Sequence, residues 1–374
     1  MRETENPRHL IMIVANHFEP SWDERGIAPD LSAQLWKVDA WCAKARAISS
    51  IRDSDGTPFR HTYFFPAEQY YSELLSKMAE LQAEGLGEVE VHLHHGVDRP
   101  DNAPNLRQTL EDFRDTLAEE HKCLSRQQPT DQPKYAFVHG NWALANSAGG
   151  RFCGVDSEMQ ILAETGCYAD FTLPSVPEQS QVPKINAIYQ CGGPKGQRLP
   201  HRSGPNLRVG ATPVPPVLFT GPLVFNWRRR IHGLPVPRLD DSSLAANYPP
   251  TLERFHRWRK ARIGVHGRPE WVFIKLHGHG FFPDDADIMI GDSMRRFLGE
   301  VTELADKSGE FKIHFATARE AFNIAMAAVD GHDGDPHDYR DYQLALIMNE
   351  TETALSQYDE LRGSRVKMAV ARLR

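Results

Sequence analysis

The chain has 374 residues, of which 40% are hydrophobic and 25% are charged, an ordinary composition for a globular protein. This composition excludes a disordered chain, a collagen and a coiled coil, and the formal net charge of −7 argues against a general nucleic-acid-binding protein. Five cysteines without a C-x-x-C pair indicate neither a disulfide framework nor a zinc ribbon, so we expect a reducing, cytoplasmic location. The first residues lack the pattern of a signal peptide, and no apolar run is long enough to predict a transmembrane segment.

Strand and helix patterns alternate along the chain. Seven apolar runs are predicted to be strands: Leu10–Ala15, Phe59–Phe65, Glu88–His94, Tyr135–His139, Tyr168–Pro174, Trp271–His277 and Phe311–Thr317. Helical periodicity is found in Leu31–Ile51, between Pro66 and Gly85, in Leu106–Leu124, in Ser157–Thr165 and in Ala318–Ala328. This βαβα order predicts an α/β fold in which helices cover a parallel sheet, either open or closed as a barrel. Function should then lie at the C-terminal ends of the strands.

The same patterns predict how the chain is divided. Residues 1–330 are predicted to form a single domain with an irregular insertion at about residues 175–250, a stretch rich in proline without periodicity. Residues 331–374 are predicted to be a turn-rich linker followed by a closing helix. Residues 225–268 carry ten Lys and Arg against three acidic residues, which indicates either a patch for an anionic partner or a solvated helix face.

Histidines gather where the predicted strands end. Seven of the 17 lie at or just past such an end: His17, His92, His94, His95, His139, His277 and His279. In EVEVHLHHG, residues 88–96, the strand alternation directs His92 and His94 to one side and His95 to the other. Neutral imidazoles are favoured ligands of zinc and related ions. The sequence therefore predicts a divalent metal site, with zinc expected and cobalt, manganese or nickel as alternatives.

Two further motifs add candidate residues to this site. In VANHFEP, residues 14–20, His17 is a candidate third ligand, Glu19 a ligand or general base, and Asn16 a donor to substrate or oxyanion, unless the motif is only a turn. In WVFIKLHGHG, residues 271–280, the side chains of Lys275, His277 and His279 share one strand face, and Lys275 is a candidate substrate contact. The two histidines suit a general acid and a ligand, although a glycine-rich turn with solvated histidines would give the same pattern.

Weaker candidates follow the two central predicted strands. In HGNWALANS, residues 139–147, His139 and Asn141 are polar groups at a strand end and candidate substrate contacts, and Trp142 is a candidate stacking wall for a sugar ring or a core residue. In YADFTLPS, residues 168–175, Asp170 is a candidate substrate contact or the orienting partner of a histidine.

Taken in order, these motifs resemble the NodB-homology, or polysaccharide deacetylase, superfamily over roughly residues 8–330. The motifs that carry the resemblance are VANHFEP, HTYFFPAEQY, EVEVHLHHG, VHGNWAL, YADFTLPS and IKLHGHG. The sequence departs from the family where an aspartate pair is replaced by Asn16 and His17, and where the spacing of the second histidine motif shortens to His92-Leu93-His94. The resemblance implies a distorted (β/α)7 barrel related to the TIM barrel.

The resemblance also implies an activity. It is that of a metal-dependent hydrolase that removes an acyl group, most plausibly acetyl, from an amino sugar in a polysaccharide or its precursor. His17, His92 and His94 would hold the ion, Glu19 would be the base, and His277 or His279 the acid. The carbohydrate could be anionic or lipid-linked. Two alternatives are a catalytically silent glycan-binding or scaffold barrel in exopolysaccharide biosynthesis, and a hydrolase of another non-peptide C–N bond.

Overall fold

The structure is a computed structural model that describes residues 8–22, 30–127, 130–191, 204–227, 230–282 and 284–349. The strands of the described residues are β1 Arg8–His17, β2 His61–Pro66, β3 Gly87–Leu93, β4 Ser125–Arg126, β5 Pro133–His139, β6 Cys167–Asp170, β7 Ile188–Gln190, β8 Val217–Phe219, β9 Val224–Asn226, β10 Arg230–Ile231, β11 Leu234–Pro235, β12 Arg238–Asp240, β13 Trp271–His279, β14 Phe311–Ala316 and β15 Ala345–Leu346. The helices are α1 Leu31–Ile48, α2 Ser72–Ala83, α3 Ala103–Asp115, α4 Glu158–Thr165, α5 Leu252–Lys260, α6 Asp285–Ile290, α7 Asp292–Ser308 and α8 Ala318–Val329.

The main sheet has the strand order β13-β1-β2-β3-β5-β6-β8-β7, and β14 also pairs with β1. Neighbouring strands from β13 to β8 run parallel, whereas β7 is antiparallel to β8. Strand β13 pairs with one edge of β1 along almost its whole length. Strands β14 and β2 share the other edge of β1, with β14 at the start of β1 and β2 at its end. No backbone ladder among the described residues joins β13 to β7, so hydrogen bonds leave the sheet open. The predicted α/β fold with a mostly parallel sheet is confirmed.

Helix α8 belongs to the core, because every one of its residues is buried. It contacts β1, β5, β6 and β14. Its sequence, AREAFNIAMAAV, is apolar on nearly every side, as the burial of a whole helix requires. Its polar side chains are paired, since Arg319 donates to the Glu88 carboxylate at 2.7 Å and Asn323 donates to the Arg340 carbonyl oxygen at 2.7 Å.

The predicted irregular insertion is partly regular, which corrects the prediction for residues 175–250. Strands β7 to β12 lie within it, and β8 continues the main sheet beside β6. Strands of two or three residues are too short to show a period, so the sequence pattern could not reveal them. Helices α5, α6 and α7 were also not predicted. The predicted closing helix begins within the described residues, where Ala345–Leu346 form strand β15 instead, and its remainder falls at residues 350–374, outside them.

The basic stretch at residues 225–268 is in part internal. Arg254 is buried and donates to the Asp240 carboxylate at 3.0 Å, and Arg257 donates to the same carboxylate at 3.3 Å. The guanidinium of Arg254 also stacks on the Tyr248 ring, 3.7 Å from its centre. These arginines hold α5 to the preceding strand, so they do not form the anion-binding patch considered above. Arg228 and Arg229 lie outside the described residues.

Membrane insertion through a helix finds no support in the described part of the chain. None of its helices combines the length and the apolar composition needed to cross a bilayer.

Candidate metal centre at the strand ends

The C-terminal ends of β13, β1 and β3 bring five side chains together. Because β1 and β13 are parallel and in register, His17 lies opposite His279, with ring centres 4.6 Å apart. His92, at the end of β3, lies across from them, with its ring centre 5.1 Å from that of His17. Glu19 and His94 complete the group, which we call the strand-end cluster.

Glu19 is the centre of this cluster. Its Oε1 atom lies 3.2 Å from Nε2 of His92 and 3.3 Å from Nε2 of His94. The ligand atoms of Glu19, His92 and His94 lie close enough to hold one metal ion, and so do those of His17, Glu19 and His279. One carboxylate flanked by imidazoles is a donor set suited to zinc and related divalent ions.

The Nδ1 atoms of His92 and His94 already have hydrogen-bond partners. Nδ1 of His92 donates to the Val138 carbonyl oxygen at 2.7 Å, and Nδ1 of His94 lies 2.5 Å from the Glu68 carboxylate. With a proton held on Nδ1, each ring directs Nε2 toward Glu19, where Nε2 either donates a proton to the carboxylate or binds a metal ion. Metal-binding histidines are oriented in this way by carbonyl and carboxylate partners.

The charges of the cluster support a cation between these groups. Burial raises the pKa of Glu19, but hydrogen bonds to His92 and His94 outweigh it, so its pKa lies well below its usual value. Burial lowers the pKa of His94, but hydrogen bonds to Glu19 and Glu68 outweigh it and raise its pKa to about 10. Two carboxylates thus hold a proton on His94 in the metal-free protein, and a metal ion would replace that proton.

The other predicted histidines differ in their surroundings. Burial, with His279 and His92 nearby, places the pKa of His17 well below its usual value, and Nε2 of His17 has no hydrogen-bond partner among the described residues. Burial also lowers the pKa of His279, whose ring stacks on Phe282 with centres 4.2 Å apart. Both rings are therefore neutral at pH 7. His277 lies farther from the cluster, with its ring centre 6.5 Å from that of His17.

Trp142 borders the cluster, and Asn141 precedes Trp142 in the turn after β5. The Trp142 ring meets His279 edge-on with centres 6.2 Å apart, and Asn141 is exposed. Both residues have positive φ angles, 54° and 53°, in the short helical turn that follows β5. This turn places the indole beside His279.

Asn16 does not contribute to the cluster, because it points to the opposite side of β1 from His17. Its Oδ1 accepts a hydrogen bond from the Gly280 amide at 3.0 Å, and its Nδ2 lies 3.4 Å from Nδ1 of His61. The structure therefore gives Asn16 a structural role, fastening β1 to the turn after β13, in place of the predicted substrate contact.

Asp170 and Lys275 lie in the buried interior, which corrects their assignment as substrate contacts. Lys275 donates to the Leu173 carbonyl oxygen at 3.0 Å, and the Asp170 carboxylate accepts from the Thr172 hydroxyl at 2.8 Å. Burial raises the pKa of Asp170 to about 7 and lowers that of Lys275 to about 7, although each charge favours the other. Both residues are therefore buried polar groups of the interior.

His139 also lies elsewhere than predicted. It is fully buried and belongs to a second group with His95, Cys153 and Glu158. The strand alternation that directs His95 away from His92 and His94 holds in the structure and places His95 in that second group.

Glu68 was missed by the sequence reasoning. It follows β2 directly, in the segment HTYFFPAEQ, and reaches both the amide and the ring of His94. Its position just past a strand end is the same signal that singled out the histidines, and extending that signal to carboxylates would have found it.

A comparison of the chain with protein-family models finds no match, and a comparison with curated proteins finds none. The fold and the geometry therefore define only the class of protein. This is an α/β protein whose parallel strands end in a cluster of imidazoles around one carboxylate, and the cluster could hold a metal ion.

The role of Glu68 gives a first prediction. Changing Glu68→Gln removes the negative charge that holds the proton on Nδ1 of His94, so the zinc affinity of the strand-end cluster should fall about 10- to 100-fold. Competition with a chromophoric chelator measures this affinity. Glu73→Gln, on the exposed surface of α2, is the matched control and should leave it unchanged. Equal zinc affinities of the two variants would show that Glu68 does not orient His94.

Proposed function

We propose that this protein is a metal-dependent hydrolase that removes an acetyl group from an N-acetylated sugar, built on a distorted (β/α)7 barrel. The observation that carries the proposal is the position of Glu19. Its Oε1 atom lies within 3.3 Å of Nε2 of His92 and of Nε2 of His94, and Nδ1 of each ring already has a hydrogen-bond partner. The order of strand-end motifs that resembles the polysaccharide deacetylases supports the sugar substrate.

We assign Glu19, His92 and His94 to the metal, with His17 beside them. This assignment moves Glu19 from general base to ligand, because its carboxylate lies between the two Nε2 atoms and is held there on both sides. When bound, a divalent ion supplies Lewis-acid polarisation of the amide carbonyl and lowers the pKa of water.

Proton transfer then falls to a neutral imidazole. His279 adjoins the Glu19 carboxylate and, with its lowered pKa, has a free lone pair at pH 7 to take a proton and later return it to the leaving amine. His277 is less suited, because it is buried farther from the carboxylate. The stacking of His279 on Phe282 fixes the plane of its ring.

Trp142 supports the assignment of a ring-shaped substrate. Its indole borders His279, and flat aromatic side chains at such positions offer an apolar face on which a sugar ring can pack. We assign Asn141, exposed beside it, to a hydrogen bond with a sugar hydroxyl.

The test is the release of product from N-acetylated oligosaccharides by the zinc-loaded full chain, with acetate and ammonia measured in the same samples. Acetate without ammonia is expected. His279→Gln should lower kcat by about 100- to 10,000-fold, the range of a general acid–base group, with zinc still bound. His266→Gln, at an exposed histidine before the start of β13 and so at the opposite end of that strand from His279, is the matched control and should keep full activity.

Other outcomes would contradict the proposal. Ammonia in place of acetate would identify a hydrolase of a different C–N bond. Glycan binding without either product, in protein that holds zinc, would identify a silent glycan-binding barrel.

A further inference from the structure

The second group of ionisable side chains lies behind the strand-end cluster. His95 follows β3, His139 ends β5, Cys153 lies in the loop before α4, and Glu158 is the first residue of α4. All four are buried, and three of them have no exposed surface. Four groups of this chemistry, drawn from four places in the chain, meet in the interior.

The atoms at the centre of this group are all possible metal ligands and lie within 4.8 Å of one another. Nε2 of His95 lies 3.0 Å from Nε2 of His139 and 2.9 Å from Oε1 of Glu158, and Nε2 of His139 lies 3.3 Å from the same oxygen. Sγ of Cys153 lies 3.7 Å from the other Glu158 oxygen. Two ring nitrogens, a carboxylate and a sulfur are therefore close enough together to hold one ion.

The outer hydrogen bonds explain why the two Nε2 atoms face each other. Nδ1 of His139 lies 2.5 Å from the Gly140 carbonyl oxygen, which can only accept, and Nδ1 of His95 lies 3.0 Å from the Asp101 carboxylate. Each ring thus keeps a proton on Nδ1 and turns Nε2 toward the other ring and Glu158. Two Nε2 atoms 3.0 Å apart need a proton or a cation between them, and a divalent cation would satisfy both rings, the carboxylate and the sulfur at once.

We propose that His95, His139, Cys153 and Glu158 bind a structural divalent cation of the zinc class. Two imidazoles, a thiolate and a carboxylate are all zinc ligands, and four protein ligands in a closed site are typical of structural zinc. Asp101 and the Gly140 carbonyl orient the imidazoles, as outer partners do in such sites. This proposal is independent of the function assigned to the strand-end cluster.

Burial distinguishes this site from the strand-end cluster. The His94 side chain is 23% exposed, whereas the Cys153 and Glu158 side chains are fully covered, so no substrate could reach the sulfur. Full burial also argues against a nucleophilic role for Cys153. The ion would enter as the chain folds, since the folded protein completely covers three of the four ligands.

A cation bound at this site would hold in place the loops that pack against the His94 ring. The backbones around it pack tightly, because a Cβ atom on Gly96 would lie 2.2 Å from the Cys153 carbonyl oxygen. A Cβ atom on Gly140, next to His139, would lie 2.3 Å from Cδ2 of His94. The cation would therefore hold the loops on which the ring of His94 rests.

Cobalt spectroscopy tests the proposal and distinguishes the two sites. The full chain is produced without a polyhistidine tag, in zinc-depleted medium with cobalt, so that the ion is present during folding. Cobalt bound to a thiolate gives a near-ultraviolet charge-transfer band, which cobalt held only by imidazole and carboxylate lacks. The wild-type protein should show this band with about one such cobalt per chain.

Three variants complete the experiment. Cys153→Ala should lose the thiolate band and lower the cobalt affinity of this site by at least about 100-fold, beyond the range of outer-partner substitutions. Cys123→Ala, at an equally buried cysteine, is the matched control and should keep the band. Glu19→Gln should also keep it, because Glu19 belongs to the other cluster.

Two results would overturn the proposal. One is a folded wild-type protein without a thiolate–cobalt band, which decides the matter even where Cys153→Ala fails to fold. The other is a band of equal intensity in Cys153→Ala and Cys123→Ala.

Discussion

Glu19→Gln should abolish metal binding at the strand-end cluster and with it the hydrolysis of N-acetylated sugars. Glu19 is the carboxylate shared by both groups of candidate ligands in this cluster. An amide at this position is neutral and a poor ligand, so zinc affinity should fall more than about 100-fold, beyond the effect of an outer partner such as Glu68. Because the ion contributes several kcal/mol of charge stabilisation, kcat/KM should fall at least about 1,000-fold.

The matched control for Glu19→Gln is Glu90→Gln. Glu90 is a buried carboxyl on β3 whose pKa burial raises well above its usual value, which favours its neutral form, so an amide is a close mimic. Its neighbours are the Tyr168 hydroxyl and the Ala136 amide, not the strand-end cluster. The control should bind zinc as the wild type does. Zinc binding and activity retained in Glu19→Gln would remove the basis of the proposed function.

Glu320→Gln should cause the largest loss of stability. The Glu320 carboxylate is buried in α8, 2.5 Å from the Arg60 guanidinium and 3.0 Å from that of Arg340. Removing one partner from a buried ion pair costs about 3 kcal/mol in the free energy of unfolding, because the remaining charge stays buried without its counter-charge. Glutamine can still make the capping hydrogen bond to the backbone of Thr317, so the substitution isolates the charge.

The same carboxylate predicts a pH dependence. Burial opposes the charge of Glu320, but Arg60, Arg340 and Arg319 outweigh it and lower its pKa from 4.5 to about 2. A lowered pKa contributes stability that is fully present above pH 4.5 and is lost as the pH falls toward 2. The difference in stability between the wild type and Glu320→Gln should therefore shrink over this range.

Urea unfolding at several pH values measures both effects. Glu303→Gln is the matched control, because Glu303 pairs with Lys307 on the exposed surface of α7. Its free energy of unfolding should change by less than about 0.5 kcal/mol. A Glu320→Gln protein as stable as this control at pH 7 would show that the buried pair does not stabilise the fold.

Much of the fold could be predicted from the sequence, because long apolar strands and amphipathic helices repeat their pattern over many residues. Strands β1 and β13 are nine or ten residues long and almost wholly buried, which makes them visible as continuous apolar runs. Strand β8 has three residues, too few for a pattern, although it continues the same sheet. Helix α7 repeats apolar residues at Met294, Phe297, Leu298 and Val301, a signal that sequence reasoning could have used and did not.

Strand alternation predicts only how the residues of one strand divide between the two faces of the sheet, so only that part of the site could be predicted. Alternation correctly groups His92 with His94 and separates them from His95, because side chains along a strand point to opposite faces in turn. It cannot show which groups from other strands lie opposite, so the role of Glu19 and the separate position of His139 required the fold. Cys153 and Glu158 lie in a loop and at the start of a helix, where no period marks them.

The central claim is that Glu19, His92 and His94 hold one metal ion, and diffraction tests it most directly. Crystals grown with zinc, measured on both sides of the zinc absorption edge, locate every bound zinc in an anomalous difference map. The account predicts a peak about 2.0–2.2 Å from a Glu19 carboxylate oxygen and from Nε2 of both histidines. A folded protein in zinc whose map shows no peak among these three side chains would contradict it.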